Sequence, residues 1–315
     1  MLRKNQEAVA LKHTDHLCSI VSSIGIALSC DQPPKYKAND IVHGWKADNL
    51  YGDTVFVHGN EVARFSKLLD RFSNPMVIVA SGDDKIMPHD YSDETIQRLL
   101  NSDKVLAFYA QNNCLGFKFS SIPIGIDYHT LFRSVSDHPW GNKGMTAEDQ
   151  ERELIELRDN ILPISNCDAI PVLANFHLAM NTPKRRASIR MPIYESLREV
   201  KWIKWLPLSS RYNFWLSMKS SAFVICPAGE GYDTHRVWEV LSLGRIPVIQ
   251  KLPINGIYDG LPVWEVDDWN AFSKLNSHDL SIKLLSYVDA WSNFKWEKLD
   301  LSFWISKISS HKKSD

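Results

Sequence analysis

The sequence predicts an α/β protein made of two halves, each a parallel sheet with helices on both faces. Three observations carry this expectation. Short apolar runs recur along the chain, such as TVFVH at 54–58, MVIVA at 76–80 and AFVIC at 222–226. Stretches of helical composition separate them, which is the order of a parallel sheet rather than of hairpins. A polar interval at 134–144 (SVSDHPWGNKG) interrupts the alternation, which resumes at residue 169. A boundary near Asp168 follows, with one half at 1–168 and the other at 169–315. The 315 residues are 44% hydrophobic, enough for a core in each half.

The elements follow in order. The apolar run 17–30 (LCSIVSSIGIALSC) is expected to be a core strand or helix. It is too short to span a bilayer, and Glu7 and Asp15 before it and Asp31-Gln32-Pro33-Pro34 after it do not suit a secretion signal. Strands are expected at 54–58 and 76–80 with a helix at 61–72 between them. A helix at 95–101 leads to strands at 104–109 (KVLAFY) and 121–126 (SIPIGI). After the polar interval, Thr146 is placed to cap a helix with Asp149 at its third position. In the second half, strands are expected at 169–174, 201–206, 222–226 and 246–250, and helices at 184–199, 212–219 and 234–243. Gly244 stands where a left-handed residue ends the last of these helices. The final fifty residues, rich in Trp, Lys and Ser, read as closing helices.

Charge and cysteine usage exclude several function classes. The formal net charge is −1 and the basic residues are dispersed, so nucleic acid is not an expected partner. Cysteines 18, 30, 114, 167 and 226 form no Cys-x-x-Cys pair, so neither a zinc site nor a disulfide framework is indicated. A reducing, cytoplasmic setting without an integral membrane segment fits this pattern.

Ligands of doubly wound sheets sit outside the carboxyl ends of the strands. That rule puts the loops 81–85, 111–113 and 227–233 on one rim, in a cleft between the halves. The richest chemistry follows the strand at 222–226, in CPAGEGYDTHRVWEVLSLGRIPVI. On its expected helix, Val237, Trp238, Val240 and Leu241 share an apolar side, while His235, Arg236 and Glu239 share the other. The polar side begins at the helix N-terminus, where free N–H groups and the macrodipole favour anions. The spacing suits a diphosphate at the N-terminus and a ribose one turn on. A plainer account stands beside it: glycines that only make a tight turn, and Arg236 paired with Glu239 on a solvated face. The loop lacks the third glycine of a dinucleotide fingerprint, since position 234 is Thr, and it lacks a Walker lysine.

The stretch YNFWLSMKSSAFVICPAGEGYDTHRVWEVLSLGRIPVI strongly resembles the C-terminal motif of exostosin-like glycosyltransferases. The resemblance covers about 40 residues. Shorter stretches resemble motifs of small single-chain members of this group, some from large algal viruses: ASGDD, FYAQNN, IPIGID and ANFHLAMNTPKRR. The resemblance implies a GT-B fold, two facing Rossmann-like domains, with a nucleotide-sugar donor held by the second. The cytoplasm expected from the cysteine pattern is the host's if the chain is viral. The resemblance assigns Arg236 with His235 to the diphosphate and Glu239 to the ribose hydroxyls. Asn181, Thr182 and Arg185 would approach the donor from the first loop of that domain, and Gly229, Gly231, Asp233 and Thr234 complete the donor set. Ala228 and Glu230 stand where many relatives carry Arg and Asn.

The expected activity is transfer of a sugar from a nucleotide-sugar to a glycan or glycoprotein hydroxyl, with a UDP-sugar favoured and a GDP-sugar the other option. Such transfer needs a base across the cleft from the donor. Asp83, which follows the strand at 76–80, is the first candidate, with Asp84, Asp127 and His89 as alternatives; a turn or cap residue is its plainer role. The chain has no Asp-x-Asp. Metal-independent inversion is therefore expected, with Arg236 and the helix N-terminus stabilising the leaving group. Trp140 and Trp269, both in polar stretches, are candidate sugar platforms. Two other classes compete: a GT-B epimerase or hydrolase acting on the donor alone, and a non-catalytic nucleotide-sugar or glycan binder.

Overall fold

The computed structural model describes residues 13–37, 40–42, 53–134, 136, 138–178, 184–254 and 256–311. The protein is α/β with two separate parallel sheets. Ahead of the first sheet lie a short helix α1 (Ser23–Leu28) and a small antiparallel pair, β1 (Lys35–Lys37) and β2 (Asp40–Val42). Neither strand of that pair was apparent in the sequence.

The first sheet runs β3 (Thr54–His58), β4 (Met76–Ser81), β5 (Val105–Ala110) and β6 (Phe119–Ser121), with every pairing parallel. All six residues of β4 are buried, as a strand flanked on both sides and covered on both faces requires. Between β3 and β4, the residues expected as one helix split into α2 (Val62–Ser66) and a 3-10 turn, Leu69–Arg71. The apolar spacing was nevertheless meaningful, because Val62, Phe65, Leu69 and Phe72 are all buried together. Helices α3 (Asp93–Asn101), α4 (His129–Arg133) and α5 (Ala147–Asn160) complete this half. Thr146 caps α5 as expected, accepting the Asp149 N–H at 3.2 Å.

The strand expected at 121–126 is displaced to β6. Pro123 has no N–H to give a ladder, and Gly125 adopts φ +64°. The remaining groups pair elsewhere. Ile124 N–H donates to Asp233 at 2.7 Å and Ile126 N–H to the Val21 carbonyl at 2.9 Å. The segment thus leaves the sheet and becomes a wall between the two halves.

The second sheet has the order β11 (Trp264–Val266), β10 (Ile246–Gln250), β9 (Phe223–Ile225), β7 (Val172–Ala174), β8 (Ile203–Trp205), again all parallel. Its helices are α6 (Lys184–Leu197), α7 (Arg211–Ser217), α8 (His235–Ser242), α9 (Trp269–Phe272) and α10 (Ser277–Asp289). Gly244 ends α8 with φ +63°. Its N–H reaches the Leu241 carbonyl and the Arg245 N–H reaches the Val240 carbonyl, a Schellman closure.

The last helix, α11 (Leu301–Ser309), returns to the first half. Leu301 N–H donates to the Ser19 carbonyl and Tyr109 Oη to the Lys307 carbonyl. One apolar core spans both halves, containing Val77 and Tyr109 of the first sheet, Trp238 and Val240 of α8, and Trp304 of α11. No described helix is long and apolar enough to cross a membrane.

Candidate active site

A cavity of about 520 Å³ opens between the carboxyl ends of the two sheets. Gly82, Asp83, Asp84 and Gln111 reach it from the first sheet. Pro227, Gly229, Glu230 and Gly231 reach it from the loop after β9. The three loops that the sequence placed on one rim therefore do share it.

The wall from the second half is cationic. Arg236, in the first turn of α8, donates to the Asn175 carbonyl at 3.1 Å, and its guanidinium lies 3.7 Å over the Phe214 ring. Its Nε is 3.4 Å from Glu239. That pair is not a solvated one, because the Glu239 side chain is only 5% exposed. Glu239 lines the cavity one turn inward from Arg236, with part of its carboxylate engaged by the arginine.

Two further arginines stand beside Arg236. Arg190 donates from Nε to the Ala228 carbonyl and from Nη1 to the His177 carbonyl. Burial, together with the charges of Arg186 and Arg236, lowers its pKa to about 10. Burial and the same three arginines lower the pKa of His177. Arg186 takes the place that the sequence reading gave to Arg185. Its backbone N–H bonds Glu230 Oε1 at 3.3 Å and its Nε lies 3.7 Å from the same atom, so the acidic loop residue is matched by a cation. Neither Arg186 nor Arg190 was singled out in the sequence. Their i,i+4 spacing on the helix at 184–199 was the available signal, since it puts both on one face.

Several donor-set residues have other work. Arg185 bridges the halves, donating to Asp90 and to the Glu230 carbonyl, each at 2.6 Å. It lies in a neighbouring surface recess rather than in the cavity. Asp233 is buried, and its carboxylate accepts Ile124 N–H, Trp238 Nε1–H and Tyr258 Oη–H at 2.6–3.0 Å. Burial raises its pKa, and those bonds offset the rise only in part. It ties α8 to the opposite wall. Gly231 is small because a Cβ there would stand 2.5 Å from Asn112 Nδ2. Asn112, at φ 54°, also accepts the Asp233 N–H at 2.8 Å. Gly229 has no such constraint, its nearest neighbours being Arg190 and Arg186 at ordinary contact. Thr234 precedes α8, and its hydroxyl is buried without a hydrogen-bond partner. Asn181 and Thr182 lie outside the described residues.

Asp83 lines the opposite wall. Its Oδ1 accepts the Lys85 N–H at 3.2 Å, while its Oδ2 is buried without a partner. Burial raises its pKa despite that bond and the nearby charges of His58 and Lys85. Gly59 makes room for it: a Cβ there would lie 2.2 Å from Oδ1. Asp84 also lines the cavity; His89 does not.

Asp127 is buried, and burial alone would raise its pKa. The charges of His129, His235 and Arg211 and the Thr130 hydrogen bond outweigh this and hold the carboxyl well below the usual range. Its oxygens accept Thr130 N–H at 2.9 Å and Thr130 Oγ1–H at 2.7 Å, and His129 Nδ1 lies 3.1 Å from Oδ1. His129 lines the cavity and was not singled out in the sequence, although it stands two residues after Asp127 at a strand's expected end. His235 crosses from α8 to the Gly125 carbonyl at 2.7 Å, so it faces the first half more than a diphosphate.

Asp127, His129 and His235 bring candidate metal-ligand atoms within 4.8 Å of one another, the one such trio among the described residues. Asp127 is hydrogen-bonded by Thr130 and His235 to the Gly125 carbonyl, while His129 stands 3.1 Å from Asp127 and its ring 5.6 Å from that of His235.

The two tryptophans separate. Trp140 lines the cavity beside Arg211, whose N–H bonds its carbonyl. Trp269 is buried in the core of the second half, so it offers no sugar platform.

No protein-family model matches the chain, and no curated protein matches it.

Proposed function

We propose that the protein is a glycosyltransferase of GT-B architecture that takes a sugar from a nucleoside-diphosphate donor, without a metal and with inversion. The observation that carries this reading is that Arg186 and Arg190 of α6 line the cavity together with Arg236 of the first turn of α8, where burial and then the neighbouring charges lower the pKa of Arg190. Mutual repulsion among three guanidiniums at the mouth of a helix dipole is relieved by a multiply charged anion. The resemblance of residues 212–249 to the exostosin motif supports the same assignment. Glu239, one turn inward, is within the cavity for ribose hydroxyls. Three buried polar atoms without a hydrogen-bond partner, Asp83 Oδ2, Thr234 Oγ1 and Arg186 Nε, belong to residues lining this cavity. Buried polar groups normally find partners, so atoms of this kind mark where a ligand bonds.

In this reading the diphosphate lies against Arg236 and the α8 N-terminus, and the acceptor enters along the wall of Asp83 and His129. Fixed cations stabilise charge as it develops on the departing phosphate. A hydrolase or an epimerase would use the same donor wall; Trp140 in the lining favours an acceptor glycan.

The test is a thermal-shift panel of UDP, GDP, dTDP and CMP. The cognate nucleotide at about 100 times its dissociation constant adds about 2.7 kcal/mol of stability, with or without chelator. A flat panel sinks the donor site. A response confined to metal-loaded protein sinks the metal-independent part.

A further inference from the structure

The geometry assigns the acceptor's proton to His129, with Asp127 as its positioning residue, rather than to Asp83. This rests on the glycosyl-transfer reading of the cleft and names the base within it. Asp127 is 3% exposed; Thr130 bonds both of its oxygens, and His129 Nδ1 stands 3.1 Å from Oδ1. A carboxylate charge at that distance favours the neutral His129 ring that carries its proton on Nδ1 and leaves the lone pair on Nε2. The ring is 27% exposed and lines the cavity. A carboxylate that fixes a neutral imidazole's tautomer and stabilises the imidazolium is a general solution to proton abstraction.

Position separates His129 from Asp83. The His129 ring lies 5.6 Å from the ring of His235, the residue beside Arg236 in the first turn of α8. The base thus stands next to the helix end that holds the leaving phosphate. Asp83 borders the outer recess shared with Asp90 and Arg185. Its local surroundings, Gly59, Lys85 and the Tyr91 ring beneath Lys85, belong to the first half alone.

The step balances as follows. The acceptor hydroxyl gives its proton to His129 Nε2 as its oxygen bonds the anomeric carbon. The bond from that carbon to the phosphate oxygen breaks, and its electron pair leaves with the nucleoside diphosphate. Asp127 stabilises the imidazolium, and Arg236 the diphosphate.

The charged groups facing His129 set its pH dependence. Burial lowers its pKa, and His235 and Arg133 add to the fall; Asp127 and Asp15 oppose it. Arg211 approaches from α7, donating to the Asp127 carbonyl. The net shift is downward, so the base form is present at neutral pH and turnover rises with pH as the ring loses its proton.

The experiment measures UDP release from UDP-glucose, UDP-galactose and UDP-glucuronate with water as acceptor, across pH, alongside UDP affinity. His129→Gln should lower release about 100-fold or more and abolish the rise with pH, with UDP affinity and melting temperature retained. Asp127→Asn removes a charge that raises the His129 pKa, so its rise should move to lower pH at a reduced rate. Asp83→Asn should keep the rise. Histidine ¹⁵N spectra at pH 7 should show His129 as the Nδ1–H tautomer, a result that needs no turnover. An Nε2–H tautomer overturns the proposal, as does a His129→Gln enzyme with wild-type rates. So does one bound metal per chain whose removal abolishes release. Failure of the wild type to bind any nucleotide sinks the donor site instead; UDP binding with an indifferent His129→Gln sinks only the base.

Discussion

On the wall from the second half, His235, Arg236 and Glu239 come from five consecutive positions of one helix, with Arg186 and Arg190 one turn apart on another. On the facing wall, Asp83, Gln111 and Asp127 come from three separate loops, each following a different strand, and His129 opens the short helix α4. The difference decides what a sequence can reveal. A helix carries its functional side chains at a fixed angular spacing, so a short stretch is already a three-dimensional pattern. Loops converge only after the sheet has formed, and nothing local to Asp83 or His129 announces the other. The cationic wall was accordingly visible as a motif, and the facing wall only as a list of candidates.

The comparison also shows where the motif misleads. Motif residues at the rim of α8 serve two purposes, gripping an anion and fastening the halves together. Asp233 and Gly231 are of the second kind, since their partners include Ile124 and Asn112 of the first half. No sequence spacing separates the two uses, because these first-half partners lie more than 100 residues away. The strands were legible from apolar runs because a parallel sheet buries both faces. The displaced strand at 121–126 failed for the same kind of reason as Asp233: its N–H groups go to distant partners, Asp233 and Val21, and not to a ladder.

The largest effect that tests this division is at Arg236. Arg236→Ala removes a cation whose contact strengthens as the leaving group departs, and turnover should fall roughly 100- to 1000-fold. It also leaves Glu239 buried without its partner, costing about 1–3 kcal/mol of stability. Arg236→Lys keeps the charge beside Glu239, so it should recover most of the stability. It should recover little of the rate, because an ammonium does not reproduce the planar fork or its stack on Phe214. Kinetics and melting curves on the two variants separate the contributions. If both variants turn over like the wild type, the cationic wall is scaffold.

Asp233→Asn should behave in the opposite sense. An amide oxygen can keep some of the three donors, yet its NH₂ is set against Ile124 N–H and Trp238 Nε1–H, which only donate, and the Tyr258 hydroxyl is the one group that could turn to accept. We expect a loss of about 1.5–3 kcal/mol, read as a melting temperature several degrees lower, with UDP affinity nearly intact. A tenfold weaker UDP affinity, about 1.4 kcal/mol, with unchanged melting would return Asp233 to the donor site.

The smallest effect sharpens the comparison most, because it concerns a residue that the motif reading and the structure place differently. Arg185 was expected at the donor; it reaches instead across the recess to Asp90. Burial would raise the Asp90 carboxyl, but the bonds from Arg185 and Ile86 and the arginine's charge hold it low. Both side chains are partly open to solvent, at 33% and 26% exposure, so screening leaves the pair worth at most about 1 kcal/mol. The depressed acid contributes stability above its unfolded pKa, about 3.9, and loses it as pH falls below that. Arg185→Ala should therefore lower the melting temperature by about 2 °C or less at pH 7. At pH 3 the difference should shrink, since Asp90 is then losing the charge that Arg185 meets. UDP affinity should not change. If Arg185→Ala weakens UDP about tenfold while melting stays fixed at both pH values, the side chain serves the donor and the clasp is incidental. A Tm difference that fades with acid at constant UDP affinity places Arg185 with Asp233 and Gly231, among the residues that join the walls rather than line the site.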